Sequence, residues 1–358
     1  MTAPMPSRAE EPASPPAVLP SPSALAGEDP PSAASVARIA AARAAIRAIL
    51  HGQDSKRVLV VAGPCSIHDP AAALEYAGAI AKVAEATRDQ LVVVMRTYFD
   101  KPRTCAGWKG LINDPYLDGT GDVETGLRTA RALLGQINDL GLPCGAELLD
   151  PISARYICDQ LSWAAIGART AESQTHRELA SAMPMPIGIK NPTHGDVDVA
   201  VHAIAAAALQ HHMLTLDADG RSAAIRSDGN ADCALVLRGS VERPNYAPAD
   251  LLAALDRIAR LGLARPLVID CSHDNSRQDY TRQAVVARSV LEQFAGGQRA
   301  IMGILLESNL RPGRQALEPG TALEYGVSVT DGCMGWTETE ALLFEAAEAV
   351  ERAGARRY

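Results

Sequence analysis

Short apolar runs alternate with segments of helical pattern from residue 58 to residue 307, and this alternation constrains the fold more than any other feature. Continuous apolar runs of this kind are typical of parallel strands that are buried on both faces. Eight of them, each followed by a helical or loop-plus-helix segment, predict an α/β protein with a (β/α)8 TIM barrel. The predicted strands are VLVVAG (58–63), LVVVMR (91–96), PCGAEL (143–148), AAIGAR (164–169), PIGIK (186–190), ALVLR (234–238), PLVIDC (266–271) and IMGILLE (301–307).

A doubly wound open sheet is the alternative arrangement of alternating strands and helices. It would contain fewer strands, and it usually carries the sequence GxGxxG in its first strand-to-helix turn. That sequence is missing here, because the first predicted strand leads into GPCSIHDP. In this turn Asp69 and Pro70 are typical of a helix start, whereas a tight turn gives no structural reason for Cys65.

Two segments lie outside the alternation. Residues 1–32 contain nine of the 23 prolines and almost no large apolar residues, so we expect a disordered or extended arm. A helix is predicted to begin near Ser35, and residues 33–358 are expected to form one barrel domain. Within residues 212–229, two short apolar runs flank an Asp-Gly pair, which predicts a β-hairpin inserted outside the barrel.

The composition argues against several classes of protein. A formal net charge of −8 is unlike that of a general nucleic-acid binder, which is usually basic. No apolar run approaches the roughly 18 residues of a membrane span, and the amino terminus lacks the pattern of a secretory signal. Seven scattered cysteines without CxxC pairs fit a reducing compartment. We therefore expect a cytoplasmic protein that binds neither nucleic acid nor membrane.

Charged or metal-binding side chains stand at or just beyond the carboxyl end of every predicted strand. A (β/α)8 barrel places its active site at this end, so these side chains are expected to converge on one face. In strand order they are Cys65, Arg96, Glu147, Arg169, Lys190, Arg238, His273 and Glu307. One such residue is usually a solvated strand end, whereas the full set indicates a functional site.

Part of this set forms a candidate metal site. Cys65, His273 and Glu307, with an acid of the last loop such as Asp331, offer sulfur, nitrogen and oxygen ligands. Such a mixed set suits one borderline divalent ion (Mn²⁺, Fe²⁺, Co²⁺ or Zn²⁺) better than Ca²⁺ or Mg²⁺. The four positions are far apart in the chain and carry no local spacing signature.

The other part of the set is mainly cationic. Six cations are expected at this face: Arg96, Lys101, Arg103, Arg169, Lys190 and Arg238. Buried cations need anionic partners, and arginine forks match phosphate and carboxylate groups. Six cations exceed what one phosphate requires, so the site is expected to bind at least two anionic groups. Glu147 beside them is expected to orient a cation or a bound water.

Nine segments of the chain resemble, in order and spacing, the class I type of 3-deoxy-D-arabino-heptulosonate-7-phosphate (DAHP) synthase. The resemblance runs from about residue 40 to residue 345, and KPRTCAGWKGLINDP and GARTAESQ are highly specific segments. The other segments that carry it are GPCSIHD, GAELLDP, GIKNPTHGD, VLRGS, VIDCSHDNS, LLESNL and YGVSVTDGCMGW.

The resemblance implies a role for each candidate residue. The metal ligands would be Cys65, His273, Glu307 and Asp331. Phosphoenolpyruvate would be bound by Arg96, Ala168, Arg169, Lys190 and Arg238. The phosphate end of erythrose 4-phosphate would be bound by Lys101, Pro102, Arg103 and Thr104. One of four groups would position the attacking water and transfer its proton: Glu147, Lys101, Lys190 or a metal-bound group such as His273. The sequence does not indicate which.

The implied reaction joins C3 of phosphoenolpyruvate to the aldehyde of erythrose 4-phosphate, while water attacks C2 and phosphate leaves. This is the first step of the shikimate pathway, and the resemblance also implies a homodimer or a homotetramer. A related synthase that uses arabinose 5-phosphate is one alternative, but its loop resembles KANRS where this chain has KPRT. A barrel that has lost activity and only binds a metabolite or a partner is the other.

The chain departs from the family pattern at two places. Cys105 stands where the motif commonly carries a second threonine, an exchange that we expect to leave the chemistry unchanged. The arm reads MPSRAEEPASPPAVLP, without the acidic-plus-Arg-Ile motif that helps build the inhibitor pocket of feedback-regulated relatives. We therefore expect an aromatic amino acid to inhibit weakly or not at all.

Overall fold

Eight parallel strands close into a barrel in the computed structural model, which describes residues 17–103, 107–263, 266–318 and 320–355. In chain order the strands are β1 (Val58–Gly63), β2 (Leu91–Arg96), β3 (Cys144–Glu147), β4 (Trp163–Ile166), β5 (Ile187–Lys190), β6 (His212–Leu216), β7 (Ser222–Arg226), β8 (Cys233–Leu237), β9 (Leu267–Asp270) and β10 (Ile301–Glu307). Around the barrel the order is β1-β10-β9-β8-β5-β4-β3-β2, and β2 pairs with β1. The predicted (β/α)8 barrel is confirmed.

Helices follow the strands and pack around the outside of the barrel. Within the described residues they are α1 (Pro22–Glu28), α2 (Ala33–Leu50), α3 (Pro70–Ala86), α4 (Val123–Asp139), α5 (Ser153–Ile157), α6 (Gln174–Ser181), α7 (Val197–Ala207), α8 (Pro248–Arg260), α9 (Gln283–Ala295) and α10 (Trp336–Ala355). Asp69 caps α3 and Pro70 opens it, as the sequence predicted. None of the helices in the described ranges is long and apolar enough to span a membrane.

Two apolar layers stabilise the barrel. Trp163 on β4 belongs to the inner layer, together with apolar side chains of the other strands and of α2. Gly188 on β5 makes room for this ring, because a Cβ there would lie 2.5 Å from Trp163 Cζ2. The outer layer lies between the strands and the surrounding helices. Since both faces of each barrel strand are buried, the strands appear in the sequence as continuous apolar runs.

The predicted hairpin lies between α7 and β8. Strands β6 and β7 pair antiparallel, from His212 opposite Arg226 to Leu216 opposite Ser222. They form a separate two-stranded sheet, so the insertion outside the barrel is confirmed.

The prediction of a disordered or extended arm is wrong for part of residues 17–32. Pro22–Glu28 forms the helix α1, which begins after a serine cap. Leu25 is only 2% exposed, and the amide of Ser23 donates to a hairpin carbonyl at 2.8 Å. The proline-rich composition concealed this helix, because contacts with distant parts of the chain hold it in place. Residues 1–16 lie outside the described residues.

Four barrel strands, β3, β4, β8 and β9, end earlier than their apolar runs predicted, and β3 and β9 do so by one residue. β4 ends at Ile166 rather than at Arg169, because the chain turns directly after it. Hydrogen bonds to the carbonyl of Gly167 close this turn. β8 ends at Leu237, and Arg238 comes directly after it. Both arginines nevertheless remain at the carboxyl end of the barrel.

Candidate active site

A cavity of about 220 Å³ lies at the carboxyl ends of the barrel strands. Its wall contains most of the residues predicted from the strand ends and loops: Arg96, Lys101, Pro102, Arg103, Glu147, Ala168, Arg169, Lys190, Arg238, His273 and Asp331. Cys65 and Glu307 are buried next to this wall, where they contact Lys101 and Arg96. Thr104, which was also predicted, and Cys105 lie outside the described residues.

Three potential metal ligands lie close together beside the cavity. Cys65, Glu307 and Asp331 each offer one ligand atom, and these atoms lie within 4.8 Å of one another. Sγ of Cys65 is 3.2 Å from Oδ2 of Asp331. Cys65 and Glu307 are buried, whereas 52% of the Asp331 side chain is exposed. One thiol and two carboxylates are a donor set that a borderline divalent ion prefers.

His273 lies beside this group but is not part of it. Its Nε2 is 3.6 Å from Oε1 of Glu307, whereas its Nδ1 is 2.9 Å from Oδ2 of Asp270. The structure therefore groups three of the four predicted ligands and turns the imidazole toward Asp270. A carboxylate near one ring nitrogen commonly orients a metal-binding histidine, and here it leaves Nε2 facing Glu307. His273 also has a φ of 52°, an uncommon conformation for a residue with a side chain.

The charges around the three-ligand group set its protonation. Burial, reinforced by the negative charge of Glu307, raises the pKa of the Cys65 thiol to about 12. Lys101 opposes this shift, with its Nζ 2.9 Å from Sγ of Cys65. Burial also disfavours the Glu307 carboxylate, but His273, Arg96 and Lys101 outweigh burial and hold the pKa of Glu307 below its ordinary value. A bound cation is therefore what would turn this thiol into a thiolate ligand.

Arg96 is a fixed cation in the cavity wall. Its side chain is 2% exposed and donates to Oε1 of Glu307 at 2.8 Å. It also donates to the carbonyls of Pro64 and Cys65, at 3.0 and 3.2 Å. The guanidinium carbon lies 3.4 Å from the ring centroid of Tyr98, a cation–π contact. These contacts fix the guanidinium before any ligand arrives.

Asp270 is a residue of the site that the sequence analysis missed. It is 1% exposed, and its Oδ2 accepts a hydrogen bond from Nζ of Lys190 at 2.8 Å. Burial alone would raise the pKa of Asp270, but His273 and Lys190 outweigh burial and hold it well below the ordinary value. The available signal was an acid inside the apolar run PLVIDC, because a charge in a fully buried strand requires a partner.

Arg238 and Arg169 are held in different ways. Arg238 is 5% exposed, and its Nη1 donates to Oδ2 of Asp274. Nε2 of Gln278 donates to the other oxygen of Asp274 at 2.8 Å. The sequence analysis missed Asp274 and Gln278, because their contacts depend on how the loop after β9 folds. Arg169 is exposed, and its Nη1 donates to the carbonyl of Pro102 at 3.4 Å.

Glu147 ends β3 and borders the cavity next to Gly167. A Cβ on Gly167 would lie 2.1 Å from Oε1 of Glu147, so a glycine at this position leaves room for the carboxylate. The glycine thus fixes where the carboxylate lies on the wall.

Positive charge dominates the cavity wall. Its cations are Arg96, Lys101, Arg103, Arg169, Lys190 and Arg238, and its carboxylates are Glu147 and Asp331. Such a wall attracts ligands with several negative charges and can hold two of them close together. The three-ligand group beside it can hold a divalent cation.

Comparisons with known proteins agree on one family. The family model described as the DAHP synthetase I family matches residues 34–344. The chain is 49% identical over 329 residues to the Tyr-sensitive phospho-2-dehydro-3-deoxyheptonate aldolase of Escherichia coli (strain K12), which covers 92% of each chain. It is 48% identical over 330 residues to the Phe-sensitive enzyme of the same organism, which covers 92% of this chain and 94% of that relative. The solved structure of a phospho-2-dehydro-3-deoxyheptonate aldolase from Francisella tularensis SCHU S4 superposes with a TM-score of 0.92 and 41% identity, over 94% of this chain and 98% of that one.

Proposed function

This chain belongs to the DAHP synthetase I family and is an enzyme of the DAHP synthase type, and we propose that its cavity joins phosphoenolpyruvate to erythrose 4-phosphate. The observation that carries this proposal is the position of a Cys–Glu–Asp group beside six cations at one end of the barrel. In the reaction, C3 of phosphoenolpyruvate forms a bond to the aldehyde carbon, water adds to C2, and inorganic phosphate leaves. The product, DAHP, enters the shikimate pathway toward aromatic compounds.

Phosphoenolpyruvate is assigned to the more deeply buried cations of the wall. The proposed binding residues are Arg96, Ala168, Arg169, Lys190 and Arg238. Arg96, Lys190 and Arg238 are each at most 5% exposed, and each already contacts one carboxylate. Because these cations are fixed and largely desolvated before binding, a phosphate or carboxylate ligand gains charge-assisted hydrogen bonds at little further ordering cost.

Erythrose 4-phosphate is assigned to the loop after β2. The proposed binding residues are Lys101, Pro102, Arg103 and Thr104. Arg103 is exposed, and its Nε donates to the carbonyl of Trp108 at 2.7 Å, which orients the guanidinium. Lys101 is buried, with its Nζ 3.7 Å from Oδ2 of Asp331. The loop therefore extends from the exposed Arg103 to the three-ligand group, a suitable span for a substrate with a phosphate at one end and an aldehyde at the other.

One divalent ion, Mn²⁺, Fe²⁺, Co²⁺ or Zn²⁺, fits the three-ligand group. Cys65, Glu307 and Asp331 would hold it together with His273, whose Nε2 lies 3.6 Å from Oε1 of Glu307. Burial disfavours both carboxylates, but Lys101, His273 and Arg96 lower the pKa values of Glu307 and Asp331, so both are ionised and available as ligands. When bound, such an ion polarises the aldehyde oxygen as a Lewis acid.

The chain's own residues bring two polyanions together. Their cations lower the repulsion between the substrates. Holding the two reacting carbons close together lowers the activation barrier by several kcal/mol. Asp270 outweighs the effect of burial and raises the pKa of Lys190, so Lys190 stays charged and can hold an anionic oxygen by a charge-assisted hydrogen bond. Glu147 is the carboxylate proposed to orient the attacking water, while Lys101 and His273 contact the ligand group from either side.

A cobalt-binding experiment tests the metal site separately from turnover. Chelator-treated protein is expected to lose activity and to regain it with Mn²⁺ or Co²⁺. Co²⁺ is expected to add a thiolate-to-cobalt absorption band that Cys65→Ser removes. Cys144→Ser is the matched control, since Cys144 is a buried cysteine on β3 outside the three-ligand group. Full activity after rigorous metal removal, or an unchanged band in Cys65→Ser, would contradict the assignment.

Assembly and location complete the proposal. The family resemblance supports a homodimer or a homotetramer, which light scattering of the purified protein measures directly. The cysteines of the described residues form no disulfide with one another, which is typical of a reducing compartment and supports the cytoplasm. A monomer in solution would contradict the first statement.

A further inference from the structure

The loop that carries residues 101–103 has a closed base. Asp100 and Gly110 face each other in an antiparallel bridge, and the amide of Lys101 donates to the carbonyl of Lys109 at 2.8 Å. Gly110 has a φ of 118°, and a Cβ there would lie 2.0 Å from the carbonyl oxygen of Phe99. A residue other than glycine would therefore open the base.

Asp100 attaches this base to a neighbouring part of the barrel. Its side chain is buried, and its Oδ1 accepts a hydrogen bond from Nδ2 of Asn113 at 2.9 Å. Its Oδ2 accepts from Oγ of Ser153 at 3.1 Å. Ser153 is the first residue of α5, the helix that follows β3. One carboxylate thus links the loop after β2, the segment that closes it and the helix after the next strand.

This carboxylate is unfavourable where it lies. Burial raises the pKa of Asp100 to about 7, although hydrogen bonds from Ser153 and Asn113 oppose the shift. The negative charges of Asp150 and Glu147 add to it. Asp100 is not on the cavity wall, so direct contact with a substrate does not explain it. Because a buried acid is costly to ionise, packing alone does not account for Asp100 at this position.

The neighbouring side chain indicates what this attachment achieves. Consecutive side chains of an extended segment point in opposite directions. Asp100 reaches Ser153 on one side, whereas Lys101 reaches Sγ of Cys65 on the other. Arg103 follows two residues later on the cavity wall. The direction of Lys101 and Arg103 therefore depends on how Asp100 is held.

We propose that Asp100 is a positioning residue for erythrose 4-phosphate, because it fixes the loop base so that Lys101 and Arg103 face the cavity. The inference rests on the proposed function, which assigns the phosphate of this substrate to the same loop. It predicts a larger effect on erythrose 4-phosphate than on phosphoenolpyruvate. Among the cations assigned to phosphoenolpyruvate, Arg96 is held separately by Glu307, whereas Arg169 contacts the loop through the carbonyl of Pro102.

Steady-state kinetics with each substrate varied in turn test the proposal. Asp100→Ala is expected to raise KM for erythrose 4-phosphate about tenfold and to change KM for phosphoenolpyruvate by less than about twofold. Asn113→Ala and Ser153→Ala each remove one hydrogen bond and are expected to raise the same KM by a smaller factor. Asp118→Ala is the matched control, because Asp118 is an exposed carboxylate that accepts hydrogen bonds from the amide and the hydroxyl of Thr120.

The double variant Asp100→Ala/Ser153→Ala separates positioning from general loosening. It is expected to be no worse than Asp100→Ala alone, because both changes remove the same contact. Equal rises in both KM values together with a lower unfolding temperature, or no change in either KM, would overturn the proposal. If Asp100→Ala does not fold, the two single-bond variants decide in the same way.

A wild-type protein that turns over neither substrate would refute the proposed function instead. In that case calorimetry with inorganic phosphate still tests Asp100 on the intact chain. Weaker phosphate binding by Asp100→Ala than by Asp118→Ala would support the positioning role, and equal binding would overturn it.

Discussion

The ion pair between Arg96 and Glu307 permits a quantitative prediction. Both side chains are 2% exposed, and Nη2 of Arg96 lies 2.8 Å from Oε1 of Glu307. Glu307→Gln keeps the shape of the side chain and removes its charge. Loss of one partner from a buried pair costs about 3–5 kcal/mol, because the other charge stays buried without compensation. Arg96 keeps two carbonyl acceptors and the Tyr98 ring, so we expect a loss of about 3 kcal/mol in the free energy of unfolding.

Urea unfolding of the chelator-treated protein measures this loss. Glu345→Gln is the matched control, since Glu345 pairs with Arg288 at the surface, where the side chains are 42% and 47% exposed. An exposed pair contributes at most about 1 kcal/mol, so the control should change little. If the free energy of unfolding falls as little in Glu307→Gln as in the control, burial does not make the Arg96 pair strong.

The same variant separates the ion pair from the role in metal binding. A ligand that binds only the folded state stabilises it by about 2.7 kcal/mol at 100 times its Kd. Excess Mn²⁺ is expected to stabilise the wild-type protein and Glu345→Gln alike, but not Glu307→Gln. An equal gain in all three proteins would show that Glu307 is not a ligand.

Three further predictions concern the cavity and the arm. Arg103→Ala is expected to raise KM for erythrose 4-phosphate about tenfold to a hundredfold, and Arg238→Ala is expected to do the same to KM for phosphoenolpyruvate. Each arginine fork contributes about 1.5–3 kcal/mol to the binding of one phosphate. Equal effects on both substrates in steady-state kinetics would contradict the two assignments. Gly167→Ala is expected to displace Glu147 and lower kcat about tenfold or more, with the unfolding temperature changed by less than about 4 °C. Gly78→Ala, which has open space around it in the helix α3, should leave kcat unchanged. Normal kcat in Gly167→Ala would argue against Glu147. Millimolar phenylalanine, tyrosine or tryptophan is expected to inhibit weakly or not at all, since the proline-rich arm lacks the usual inhibitor motif; micromolar inhibition that disappears when the arm is deleted would contradict this.

The barrel could be predicted because its strands are buried on both faces. Such strands are continuous apolar runs, and the runs at residues 58–63 and 301–307 match β1 and β10 residue for residue. The carboxyl ends of parallel strands meet at one end of a barrel, which is why the charged residues there could be expected to converge. The ends of the strands were predicted less accurately than their centres. Arg169, for example, lies in a turn that is closed by hydrogen bonds to the carbonyl of Gly167.

Features that depend on contacts between distant residues could not be predicted. The helix α1 has a composition typical of an unfolded arm, and its stability comes from the burial of Leu25 and from contact with the hairpin. The orientation of His273 depends on Asp270, whose charge the sequence analysis did not use. Asp274 reaches Arg238 only through the fold of the loop that carries it.

The central claim is that this cavity condenses phosphoenolpyruvate with erythrose 4-phosphate. Release of inorganic phosphate, measured with the metal-reconstituted full chain and both substrates, tests it most directly. We expect turnover that requires both substrates and a divalent metal ion, and little or no turnover when arabinose 5-phosphate replaces erythrose 4-phosphate. No phosphate release under any of these metals, or faster turnover with arabinose 5-phosphate, would contradict it.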